Sequence, residues 1–217
     1  MRLLLVAAPL ADSGLAEALF PGVPPTVVDG ATLRVTRPWR GELFDLVGAA
    51  AAPGGDATSA EGEPAASGGE PADDDPARGP TPPAPAGGAA TIGLLVPVVW
   101  VAAEPAPELA IVADHVNTRL AGPLTGRRPV SGPARRGPQP FPSLAGLYQP
   151  ETIRRAVGRR VYSVVAVAGV ARVGELSPFE RRAIAAAGCP AACDCLVDAA
   201  VVAALHGFRV AACGVPL

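Results

Sequence analysis

The stretch from Ala49 to Ala90, "AAAAPGGDATSAEGEPAASGGEPADDDPARGPTPPAPAGGAA", holds nothing larger than Thr, Glu or its single Arg. Such a segment buries too little apolar surface to offset the entropy of ordering it. It reads as a disordered Ala/Gly/Pro/acidic insertion. Any fold must therefore be assembled from two flanks: residues 1–48, an N-terminal part, and residues 91–217, the main part.

Both flanks carry short apolar runs separated by turn and cap signals. "RLLLVAAPL" reads as a buried strand, followed by the turn "ADSG" and a short helix "LAEALF". "PTVVDGATLRVTRPW" alternates like strands about an Asp29-Gly30 hairpin turn, and "GELFDLVGAA" like a short helix. After the insertion, "TIGLLVPVVWVAA" and "ELAIVADHVN" are continuous apolar runs of the kind that suits a sheet covered on both faces. Residues 119–150 form a Pro/Gly/Arg-rich excursion. "ETIRRAVGRR" then predicts a helix and "VYSVVAVAG" a strand. "LSPFERRAIAAAG" predicts a helix with Ser177 as cap, Pro178 at its first position and Glu180 closing a capping box. "CLVDAAVVAALHG" predicts a last helix and "FRVAACGVPL" a last strand. Strands alternating with helices predict an α/β domain.

Only 4% of residues are aromatic, so the core must be built from Ala, Val and Leu. The insertion holds seven acids and one Arg, whereas Arg119 to Arg182 holds twelve Arg and three acids. The basic half favours a small anionic partner. No aromatic platforms are interleaved with the charges, which argues against nucleic acid. No run approaches the roughly 20 apolar residues of a membrane span, and the N-terminus suits a strand better than a signal peptide. The expected compartment is the cytoplasm. Cys189, Cys193, Cys195 and Cys213 do not follow a usual zinc spacing and read as buried thiols, with no metal site expected.

"ADHVNTRLAGPLTG", "GPQPFPSLAGLY", "VYSVVAVAG" and "ERRAIAAAGCPAACDCLVDAAVVAALHGFRVAACGV" follow one another in an order that resembles the trimeric purine nucleoside phosphorylases. The resemblance covers roughly Thr91 to Leu217. It implies a single nucleoside-phosphorylase-like α/β domain, with a central mixed sheet flanked by helices and interrupted by the insertion. It also implies a homotrimer and a purine nucleoside as ligand. No cofactor is implied; inorganic phosphate enters only as a co-substrate of phosphorolysis. By the same resemblance, Asp114, His115 and Asn117 close a central strand and shape the wall of the site. Phe141 matches the aromatic that shields a neighbouring subunit's nucleoside.

Cleaving an N-glycosidic bond builds an oxocarbenium-like sugar, so an anion must sit beneath the anomeric carbon. A phosphate there needs backbone amides, Arg and hydroxyl donors. The family's phosphate loop, Gly-Ser-Gly-Leu-Gly, is met here by Ser13, Gly14 and Leu15, but Asp12 and Ala16 stand for the flanking glycines. The Arg-bearing segment is missing, and the insertion lies in its place. Ala102 and Ala103 keep the middle of an Asn-Ala-Ala-Gly-Gly motif. The ribose- and phosphate-holding Met-Ser pair falls on Asp194 and Cys195, and the purine-recognising Glu falls on Glu175 once residues are added on both sides. The base-contacting Asn and ribose-contacting His have no counterpart.

Each lost preorganised donor costs on the order of 3 kcal/mol of transition-state stabilisation, so several losses remove most of the rate enhancement. The sequence thus favours a degenerate, non-catalytic binding or scaffold protein over a conventional phosphorylase. The alternative is an enzyme with altered chemistry on a nucleoside or related metabolite. There, Glu175 and Asp194 would act as acid and base, Cys195 as nucleophile or ligand contact, and Ser13, Ala103 and Phe141 as substrate contacts. Asp194 reads equally well as a solvated acid at a helix start.

Overall fold

A computed structural model describes residues 1–34, 42–51, 90–119 and 144–217. In chain order these form β1 (Leu3–Ala7), α1 (Leu15–Leu19), β2 (Pro25–Val28), α2 (Gly30–Leu33) and α3 (Glu42–Ala51). Then come β3 (Thr91–Trp100), β4 (Leu109–Asn117), α4 (Pro150–Arg154), β5 (Tyr162–Gly169), α5 (Pro178–Ala186), β6 (Ala191–Cys193), α6 (Leu196–Leu205) and β7 (Arg209–Pro216). Short 3-10 turns follow β1 and β5.

The chain is a mixed α/β fold built on seven strands in the order β2-β1-β3-β6-β5-β4-β7, and β3 also pairs with β7. That extra pairing closes β3, β6, β5, β4 and β7 into a five-stranded barrel, with β1 and β2 as a parallel extension. β3 serves both parts. Ile92 to Leu95 pair with β1, and Val99 and Trp100 pair with β6. Pro97 sits where β3 changes partners, a place where a missing N–H is tolerated.

Alternating side chains of β1 and β3 enter two cores, as a sheet covered on both faces requires. Leu3, Leu5, Ile92 and Leu94 pack with α3 and α6. Leu4, Val6 and Leu95 pack with Leu19 and Phe20 at α1 and with Ile153 at α4. All ten residues of α6 are buried, so this helix is apolar on every side apart from Asp198. The missing side chain of Gly169 in β5 lets the helix approach the barrel closely: a Cβ at Gly169 would collide with Val197 Cγ2.

Four expectations change. The helix expected over residues 151–160 ends at Arg154. Asp29 makes no hairpin turn. β2 runs parallel to β1, and the Asp29 carboxylate caps α2 by accepting from Thr32 N at 2.6 Å. An Asp-Gly pair serves either purpose, and the parallel crossover selects the cap. α3 continues to Ala51, so the first residues assigned to the insertion belong to a helix; residues 52–89 lie outside the described part. β6 was not expected at all. The predicted capping box of α5 is present in both directions between Ser177 and Glu180. Among the described residues, no helix is long and apolar enough to cross a membrane.

Candidate functional site

The ends of β4, β5 and β6 meet in register, with Asn117 beside Gly169 and Gly169 beside Cys193. The β4–β5 register shifts between Val112 and Asp114, as the last residues of β4 approach this rim. Thr118 ties the end of β4 to β5 by donating its hydroxyl to Gly169 O at 2.8 Å. Asn117 then folds its amide oxygen back to accept from Arg119 N at 3.0 Å.

Arg119 is thereby aimed at Asp198 in the first turn of α6. Nη1 donates to Oδ2 at 2.9 Å and Nη2 donates to Oδ1, a bidentate pair. Asp198 is 0% exposed. A carboxylate so buried is tolerable only when paired and hydrogen-bonded. The hydrogen bond to Asp198 holds the guanidinium charge still more firmly, raising its pKa above the ordinary arginine value despite burial.

Asp194 lies between β6 and α6 and accepts from Arg34 Nη1 at 3.4 Å. Arg34 follows α2 and is steadied by its own Nε bond to Gly30 O. Beside Asp194, Cys195 is 2% exposed, with its Sγ 3.4 Å from Cys193 Sγ. Cys193 in turn donates to Pro97 O at 3.3 Å. The hydrogen bond with Cys193, together with burial, pushes the Cys195 thiol well above its ordinary value. This environment does not suit a nucleophile, which needs a lowered thiol pKa.

The other expected site residues are dispersed. Ser13 is exposed, and its hydroxyl is engaged locally: it donates to Leu10 O at 2.7 Å and accepts from Leu15 N at 3.3 Å. Ala103 is exposed beyond β3, next to the turn in which Val101 and Ala102 bond Pro190 O. That is the start of β6, whereas Asp194 is at its end. Glu175 is 66% exposed and pairs with Arg172 at 2.7 Å. No hydrogen bond or ion pair joins Glu175 to Asp194 among the described residues. Phe141 lies outside the described residues. Asp194 and Cys195 are thus brought together, without Glu175, Ser13 or Ala103.

The Asp-His-x-Asn end of β4 is internally bonded. Asp114 Oδ1 accepts from His115 N at 2.8 Å, and His115 Nδ1 lies 2.8 Å from the Tyr148 hydroxyl. Burial lowers the His115 pKa, against the opposing charge of Asp114. Burial likewise pushes the Tyr148 phenol far up. Both groups therefore stay neutral near pH 7 and act as a half-buried hydrogen-bonded pair.

Sequence reasoning missed Arg34, Arg119 and Asp198. One signal was available: Asp198 stands alone in the apolar run "LVDAAVVAAL", and a buried acid demands a cation. Which arginine supplies it depends on the barrel. No protein-family model matches the chain, and no curated protein matches it significantly.

Proposed function

We propose that this chain is a nucleoside-phosphorylase-like protein that does not carry out phosphorolysis: a degenerate member that binds a purine nucleoside or related small metabolite, or serves as a scaffold, as a homotrimer. The observation that carries the proposal is the mutual neutralisation of charge where β4, β5 and β6 end. Arg119 is held by Asp198 and Arg34 by Asp194. Among the described residues, a phosphate bound there would compete with a carboxylate for each guanidinium, which a phosphorylase site has no reason to require.

The resemblance gives the wall of the site to Asp114, His115 and Asn117, and the pairing of Asn117 with Gly169, and of Gly169 with Cys193, supports that reading. Val116, Tyr162 and Val164 expose apolar surface on β4 and β5 and would serve a subunit contact. An enzyme with altered chemistry is the second reading, favoured by the partly exposed carboxylate of Asp194 beside two thiols. Release of base from purine nucleosides tests the proposal: none is expected, with or without phosphate.

A further inference from the structure

We propose that Cys193, Asp194 and Cys195 form a binding site for a single thiophilic divalent cation of the zinc class. Their ligand atoms, two thiol sulfurs and a carboxylate oxygen, all lie within 4.8 Å of one another. β6 ends at Cys193 and the chain bends through Asp194 and Cys195 into α6, so the three side chains are gathered at one corner instead of alternating as they would along a strand. The two sulfurs stand 3.4 Å apart. Two sulfurs held at about 2.3 Å on a tetrahedral ion are roughly 3.8 Å apart, so a few tenths of an ångström of opening suffices.

Charge also fits. Two thiolates and a carboxylate around a divalent ion leave one net negative charge, and Arg34 lies beside the carboxylate. Arg119 is close enough for Asp194 and Cys193 to bear on its charge. Binding replaces two thiol protons with the ion, the protons passing to solvent, and Cys193 gives up its bond to Pro97 O. Asp194 is the partly exposed member of the three and so provides the entry side. Three protein ligands leave a fourth position for water or a small ligand, unlike the closed four-ligand structural sites. This proposal does not depend on the nucleoside reading.

The test is titration of the reduced, metal-free protein with Co²⁺ alone, followed by absorption and then competition with Zn²⁺. One equivalent should give the near-ultraviolet thiolate-to-cobalt band, and Zn²⁺ should abolish it. Cys195→Ser should lose the band, while the Cys189→Ser/Cys213→Ser double variant should keep it. Asp194→Asn, at a partly exposed position that leaves the core intact, should keep the band and bind at least tenfold more weakly. Failure of the wild type to give the band would overturn the proposal, as would a band that survives Cys195→Ser or an Asp194→Asn affinity equal to wild type.

Discussion

Arg119 reaches a carboxylate 79 residues further along the chain, and the two partners differ in burial: Arg119 keeps 14% of its side chain exposed and Asp198 none. The two truncations should therefore be unequal. Arg119→Met deprives a buried carboxylate of its guanidinium and is expected to cost about 3–5 kcal/mol. Asp198→Ala should cost less, because the long arginine side chain turns outward to water. Urea denaturation of both single variants and the double variant measures this; a coupling energy near zero would mean that the pair does not hold the rim.

The histidines give a second test at this scale. Burial holds His115 and His206 below their ordinary value of 6.5. Just below that value the unfolded chain binds more protons than the folded one, so stability is full above about pH 6.5 and declines as pH falls through it. Melting temperature should drop between about pH 7 and pH 5, and His115→Gln should shrink the drop. An unchanged pH profile would contradict the neutral His115–Tyr148 pair.

Among the elements, α6 matters most, because it carries Asp198 and lies directly over the end of β5. Gly169 makes that approach possible. A methyl group there would meet Val197 Cγ2 at 2.4 Å and Val197 Cβ at 3.0 Å. Gly169→Ala is expected to destabilise by about 2 kcal/mol through overpacking, and Val197→Ala in the same chain should recover part of the loss. Thermal denaturation of the three variants decides it; a neutral Gly169→Ala would mean that helix and strand are not in close contact.

The same elements mark the limits of legibility. β3, β4, β5 and β7 were readable because each is a continuous apolar run, and α5 because its capping box is written in Ser177, Pro178 and Glu180. β6 was not readable. "AAC" is too short for periodicity, and it becomes a strand only because β3 and β5 flank it. Asp29 was misread because one dipeptide serves both a hairpin and a helix cap. Within the site, Asp194 and Cys195 were singled out through the resemblance. The arginines that pair with Asp194 and Asp198 were not, since those pairings depend on how the fold brings distant segments together.

At the scale of the molecule, barrel closure gathers the ends of β4, β5 and β6 onto one rim and sets the first turn of α6 beside it. Among the described residues that rim carries two paired arginines and two paired aspartates, each arginine held by one aspartate. A phosphorylase needs its cations available to an anion and its carboxylates available to a base. Among the described residues the arrangement here instead pairs each arginine with an aspartate, and this is the basis for the proposal that the chain does not carry out phosphorolysis. The most direct measurement is base release from a panel of purine nucleosides, with and without inorganic phosphate, resolved by chromatography on protein shown to be folded by circular dichroism. The account predicts no free base in either arm. Phosphate-dependent release would contradict it by showing that the chain binds phosphate productively despite the pairing of Arg34 and Arg119 with aspartates. Release without phosphate would contradict the non-catalytic reading and point to a hydrolase acting through Asp194.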